Sequence, residues 1–220
     1  DQPANCRGVA DVTGIRHVGT KVGLANLGPE VTIAAPGGNC VNVGAGEPCL
    51  FSLDTTTNFG STTPGANGYT DRVTNINVGT SFAAPIVSGV AALMASVNGS
   101  LAPAELIERL QATATPFPVA SSATVPTCRV PLSDADTQLS ECNCTTATCG
   151  AGMVNAPGAV AAALRPIAVV AGPSSAEAGS TVSLSGAGSL GANGRTVTSF
   201  AWTLVSGSTS LTALAGPTTS

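Results

Sequence analysis

Gly79-Thr80-Ser81-Phe82-Ala83-Ala84-Pro85-Ile86-Val87-Ser88-Gly89 places a serine where a glycine-bearing turn meets a long apolar segment. Read as a helix, that segment puts Ser81 in its first turn, where backbone N–H groups lack partners and the positive end of the helix dipole faces outward. A hydroxyl held there has donors beside it for a developing oxyanion, the charge that acyl transfer must stabilise. Thr80 is placed to cap the helix by accepting from an N–H two or three residues on, and Gly79 lets the backbone approach a ligand with no side chain in the way. The apolar pattern runs to about Val97 on nearly every face, which predicts a central, buried helix. Pro85 falls near its start and is tolerated, with loss of the bond to the Ser81 carbonyl. Asn98-Gly99 ends it.

Working outward, composition sets bounds. Only 9% of the 220 residues are charged, against about 25% in an average soluble protein. The net charge is −4 and no Lys/Arg cluster exists, which argues against a polyanion-binding surface and against nucleic acid as a partner. No apolar run reaches the roughly 18 residues that cross a bilayer. The longest, Val87 to Val97, is interrupted by Ser88, Gly89 and Ser96.

Gly8 to Val12 reads as a short buried strand, and Val31-Thr32-Ile33-Ala34 as another that ends in the turn Ala35-Pro36-Gly37-Gly38. Residues 39–72 carry Gly, Asn, Thr and Pro with little periodicity and read as surface loops. β-branched Val73, Ile76 and Val78 make a short extended entry into the serine turn. Pro103 opens a second helix at its first-turn position, with Leu106, Ile107 and Leu110 on one face and Glu105, Glu108 and Arg109 on the other. Thr115-Pro116-Phe117-Pro118 stops it. Ala151 to Val154 forms a further short strand, and Asn155 caps a last helix through Leu164.

Of seven cysteines, Cys128, Cys142, Cys144 and Cys149 form a tight group suited to a disulfide-pinned loop or to zinc. With no histidine nearby and Ser, Thr and Pro around them, disulfides are the expectation. Cys40 and Cys49 enclose a short Gly-rich loop and are expected to pair. Cys6 is then the odd one, with its partner expected outside these residues.

The eleven opening residues fill every fixed position of Gly-Thr-Ser-x-Ala-x-Pro-x-Val-x-Gly, through Gly79, Thr80, Ser81, Ala83, Pro85, Val87 and Gly89. In this the chain resembles the subtilisin-like (subtilase, peptidase family S8) serine peptidases. An ordinary buried helix opening on a Thr-Ser pair explains neither Pro85 nor Gly89. Pro3-Ala4-Asn5-Cys6, and Gly23-Leu24-Ala25-Asn26-Leu27-Gly28 leading into Val31 and Ala35-Pro36-Gly37, are similar to the subtilase segment that precedes its serine. Gly150-Ala151-Gly152-Met153-Val154-Asn155-Ala156 is similar to the closing strand and helix. The resemblance covers residues 1–165 and implies the C-terminal half of a three-layer α/β catalytic domain with a mostly parallel sheet. It implies Ser81 as nucleophile, with its N–H sharing the oxyanion hole with an asparagine, and Gly79 and Thr80 supporting the turn. In such enzymes a histidine takes the serine proton and an aspartate orients that histidine.

Asp11 and His17 stand in the right order to complete such a triad, but neither fits. Val18 separates His17 from Gly19-Thr20, whereas the family's histidine precedes Gly-Thr directly. The family's acid and base come from separate elements tens of residues apart, and residues 6–28 already match a later segment. His17 is expected to be an exposed loop residue and Asp11 a strand-end carboxylate. The aspartate, histidine and oxyanion asparagine are expected ahead of Asp1, and the 220 residues alone are expected to be inactive.

After Arg165-Pro166 the character changes. Ile167 to Val170, Thr181 to Leu184 and Val197 to Leu204 are strand-like runs between Pro, Gly and Ser turns. Residues 166–220 resemble the start of a PKD-like or other immunoglobulin-like β-sandwich module with Trp202 as its core aromatic, although a sandwich needs about seven strands. The resemblance thus implies part of a secreted bacterial serine endopeptidase acting on protein or peptide substrates through an acyl-enzyme on Ser81. No cofactor is expected; structural calcium is common among relatives of the fold, yet no Asp-rich ligand loop is visible. The alternative is a non-catalytic secreted binding or structural protein whose tail is the working part.

Overall fold

The computed structural model describes residues 4, 6–23, 25–38, 53–70, 77–119, 125–133, 135, 136, 138 and 140–203. Strands β1 (Val12–Ile15) and β2 (Ile33–Pro36) pair in parallel, with Val12 opposite Ile33 and Ile15 opposite Pro36. Met153 extends this ladder through a parallel bridge to Ala34 and an antiparallel one to Thr115. Strands β3 (Thr56–Asn58) and β4 (Asn67–Tyr69) form a separate antiparallel hairpin. The helices are α1 (Thr80–Val97), α2 (Pro103–Ala112) and α3 (Ala156–Ala163).

Successive side chains on a strand point to opposite faces, so β2 divides its residues between two layers. Ile33 and Ala35 join Ala83, Val87, Val90 and Met94 of α1, Leu110 of α2, and Ala159 and Ala163 of α3. Ala34 faces the other way, with Ile15, into a cluster built on Cys128, Cys142, Cys144 and Cys149. A parallel sheet element therefore lies between helices and a cysteine-rich loop, a layered α/β arrangement. The loop is closed by Cys128–Cys142 and Cys144–Cys149 disulfides. Cys6 is exposed and free. The expected Cys40–Cys49 pair lies outside the described residues.

The helix ends follow local chemistry. Pro103 occupies the start of α2, and the Glu105 carboxylate accepts from the Ala102 N–H at 2.7 Å. Asn155 Oδ1 accepts from the Gly158 N–H at 3.0 Å and so caps α3. Asn98 terminates α1 and is fully buried; its Nδ2 donates to the Ala163 carbonyl at 2.9 Å, tying the ends of α1 and α3 together. Arg109, expected on the polar face of α2, spreads its guanidinium over the carbonyls of Ala162 (2.6 Å), Arg165 (2.8 Å) and Pro166 (3.0 Å). That places a cation on the negative end of α3.

Several expectations are corrected. Helix α1 is buried on one flank only: Ala83, Val87, Val90 and Met94 are covered, while Ala84, Pro85, Gly89, Ala92 and Leu93 are exposed. An apolar pattern on all faces shows what a helix tolerates, not how many layers stand against it. At 18 residues and a mean hydropathy of 1.6, α1 also meets the length and composition of a membrane span. Ser88 and Ser96 do not interrupt it, because their hydroxyls donate back to the carbonyls of Ala84 (3.1 Å) and Leu93 (2.7 Å). A core helix passes the same measure, and its packed flank marks α1 as one.

The first strand begins at Val12, not Gly8, because Gly8 turns at φ 79° and strand pairing starts where the Asp11 carbonyl meets the N–H groups of Thr32 and Ile33. The second starts correspondingly later. Within residues 39–72, expected to be surface loops, the described residues include the β3–β4 hairpin; its apex is held by the Asn58 side chain, which accepts from Gly60 and Gly65 N–H groups and donates to the Gly65 carbonyl. Of the segment 73–78, only Asn77 and Val78 are described. Beyond residue 166, where strand-like runs were expected, the described residues show the bridges Ile167–Leu190 and Ala171–Ser185 and a short 3-10 turn, Ala192–Gly194. Trp202 is half-buried. Among the described residues Ile167 and Ala171 are bridged, while 181–184 and 197–203 carry no bridge.

Candidate active site

Ser81 stands in the first turn of α1 with its side chain exposed. Residue 79, not residue 80, is the N-cap: Gly79 has φ 119° and ψ 180°, and no side chain caps the helix. Glycine alone reaches such a φ without strain. Thr80 is consequently already helical, so the expectation that its hydroxyl caps the helix is not met. The Phe82 N–H donates to the Gly79 carbonyl at 3.1 Å. The Ser81 N–H is one of the first-turn donors left without an intrahelical acceptor.

What positions this turn is main chain packed on main chain. The Gly79 N–H donates to the Gly37 carbonyl at 2.7 Å, and the Gly37 N–H to the Ile15 carbonyl at 2.8 Å. A Cβ on Gly37 would lie 2.9 Å from Gly14 Cα and 3.0 Å from the Gly79 oxygen. On Gly14, it would lie 3.3 Å from the Gly79 carbonyl carbon and 3.4 Å from the Thr80 nitrogen. Gly14, Gly37 and Gly79 thus form a floor of packed backbone that leaves no room for a Cβ on Gly37 and little for one on Gly14. Gly14 faces α1 because β1 alternates, sending Thr13 and Ile15 to the opposite side.

A second anchor comes from Asn77. It is buried, and its Nδ2 donates to the Leu53 carbonyl at 2.7 Å and to Thr70 Oγ1. Thr70 closes the base of the β3–β4 hairpin through Thr55 (N–H to carbonyl, 2.8 Å). The residue four positions before Ser81 is therefore wired to the hairpin. Sequence reading took Gly37 only as a turn and missed Gly14 and Asn77; no short-range pattern signals a close approach between distant segments.

Asp11 sits just before β1, where burial pushes its carboxyl above the usual carboxylate range. His17, the chain's one histidine, is exposed in the turn after β1. A serine hydroxyl is a weak nucleophile until a base activates it. Among the described residues, the cluster of metal-capable side chains is Cys128, Cys144 and Cys149, whose sulfurs lie within 4.8 Å of one another. Bound in disulfides they are not thiolates, the form that ligates zinc, and calcium takes oxygen donors.

A model of the subtilase family (peptidase S8) matches residues 1–152. The chain belongs to the subtilase family. An extracellular protease of Xanthomonas campestris pv. campestris is 33% identical to this subtilase chain over 163 residues, 74% of this chain and 21% of that protein. Among solved structures, the chain is similar to proteases from Pseudoalteromonas arctica PAMC 21717, with a TM-score of 0.53 and 32% identity over 74% of this chain and 38% of that one. It is also similar to the prenylagaramide maturation protease PagA, with a TM-score of 0.41, 24% identity, and coverage of 74% and 44%. This subtilase chain therefore spans about a fifth of the length of the Xanthomonas protease.

Proposed function

We propose that these residues carry the nucleophile of a secreted bacterial serine endopeptidase. Residues 1–165 are the C-terminal half of its catalytic domain, and 166–220 belong to a following PKD-like or immunoglobulin-like module. One observation carries the reading: an exposed serine at the positive end of a core helix, seated on a side-chain-free glycine floor, in a chain of the subtilase family. The name of the Xanthomonas relative supports secretion.

In the reaction, Ser81 Oγ attacks the carbonyl carbon of a peptide bond as a histidine accepts its proton. The carbonyl oxygen becomes an oxyanion that receives the Ser81 N–H and an asparagine side chain. The histidine then protonates the departing amine, and water hydrolyses the acyl ester to free Ser81. Histidine, aspartate and oxyanion asparagine come from sequence outside these 220 residues, with Thr80 and Gly79 holding the turn. The chemistry requires no cofactor. No step runs through a calcium ion.

In the full-length enzyme, Ser81→Ala is expected to lower peptide hydrolysis by roughly 10⁶-fold, the scale seen when subtilisin loses its serine, with an unchanged unfolding midpoint. Retained turnover would remove Ser81 from this role. The 220-residue chain alone is expected to hydrolyse nothing and to resist a serine-directed phosphonate.

A further inference from the structure

Lys21 is the chain's sole lysine and is fully buried, 0% exposed. A buried ammonium ordinarily requires a carboxylate, yet the ion pairs among the described residues are Arg16–Glu141 and Arg129–Asp136. Lys21 Nζ instead faces four backbone carbonyls: Val22 (3.1 Å), Gly23 (2.7 Å), Gln138 (2.6 Å) and Ser140 (3.3 Å). An ammonium has three protons to donate, so four converging oxygens exceed what directed bonds demand. The arrangement matches an ion whose hydration shell has been replaced by backbone carbonyls. Burial pushes the ammonium down to about 8, so at neutral pH it keeps its charge.

The four oxygens come from two separate segments. Val22 and Gly23 follow β1, whereas Gln138 and Ser140 belong to the loop closed by Cys128–Cys142. The Lys21 N–H donates to the Cys142 carbonyl at 2.9 Å, and Thr20 Oγ1 to Glu141 at 2.6 Å, along the same seam. On the inner side, the Val22 N–H donates to the Gly14 carbonyl at 3.0 Å. Gly14 is the floor beneath Gly79 and Thr80. A path of two residues thus leads from the ammonium to the serine turn.

We propose that the main chain at residues 22, 23, 138 and 140 is a monovalent-cation site that the protein occupies with its own Lys21 ammonium, tying the disulfide loop to the strand under Ser81. The site takes a primary ammonium or a potassium-sized ion; quaternary ammonium, which has no protons and is too wide, is excluded. Shortening the lysine leaves the four oxygens converging on a space that a free cation of the right size fills.

The test uses Lys21→Ala and Lys21→Met in the 220-residue chain. Thermal unfolding is followed in potassium chloride, ethylammonium chloride and tetramethylammonium chloride at equal ionic strength. Both variants are expected to melt below the parent chain. Lys21→Ala should regain part of the loss, saturably, with ethylammonium or potassium and not with tetramethylammonium; Lys21→Met, whose stem blocks the cage, should regain nothing. A Lys21→Met variant as stable as the parent, or equal responses of Lys21→Ala to all three salts, would overturn the proposal. Should Lys21→Ala not fold, the unaltered chain decides. Its single lysine should give a distinct, slowly exchanging Nζ ammonium signal in nitrogen-detected NMR at pH 6, whereas an ammonium exchanging as fast as free lysine rejects the cage.

Discussion

At residue 79 the cost of a side chain is conformational alone. A Cβ there would meet nothing within 4 Å, yet φ is 119°. Gly79→Ala is therefore expected to destabilise the chain by about 1–3 kcal/mol, the range for backbone forced into a sparsely populated region. Gly89 also faces open space but is helical, so Gly89→Ala should stabilise this chain by roughly 0.5–1 kcal/mol. Urea unfolding of both variants checks the pair; a gain at 79 or a loss at 89 would contradict the described backbone. The place of Ser81 in the first turn of a helix was legible in the sequence because the signals that set it are local, confined to one turn and the helix it opens. Gly14 was not, since its constraint is set by a backbone more than sixty positions away. The Thr80 cap failed for a related reason: composition names a good capping residue without revealing where the backbone leaves the extended region.

Elements with local start and stop signals were read well, as Pro103 and Asn155 show. The β3–β4 hairpin was not, because its strands are short, polar and organised by one asparagine. Arg109 illustrates a contact that joins elements without leaving a periodic trace. Arg109→Met retains the stem but strips donors from three carbonyls at the end of α3, and is expected to cost about 1–3 kcal/mol, with faster amide exchange at Ile167. The disulfide loop has its own acid-sensitive tie. Arg129 forms paired hydrogen bonds with Asp136, which also accepts from the Leu132 N–H at 2.8 Å. The Arg129 bonds, then the Leu132 N–H, hold the Asp136 carboxyl down to about 2 from its ordinary 3.8. Its folded value lies below its unfolded one, so this tie is complete above pH 4 and is lost as pH falls through 2. Protection of the Leu132 amide should fade over that window, and Asp136→Asn should abolish the dependence.

Across the whole molecule, the α/β character was legible from the family pattern, with which the order of strands and helices is merely compatible; the cysteine loop as the layer opposite the helices was not foreseen. Nor was the one-sided burial of α1, because hydrophobicity fixes a preference for apolar surroundings and not their extent. After residue 166, β-branched runs predict strands, and the described backbone supplies isolated bridges. Non-reducing peptide mapping is expected to return Cys128 joined to Cys142 and Cys144 to Cys149, with Cys6 alkylated by iodoacetamide before denaturation. A Cys128–Cys144 linkage would contradict the described loop.

The stack of Gly14, Gly37 and Gly79 also bears on how such a sequence can drift. A methyl group at position 37 strikes two other backbones at once, and neither can retreat without dragging a strand or the mouth of a helix with it. No lone compensating exchange elsewhere opens that gap. In a saturation library, position 37 would stay frozen while position 89 wanders, although both are written with the same letter.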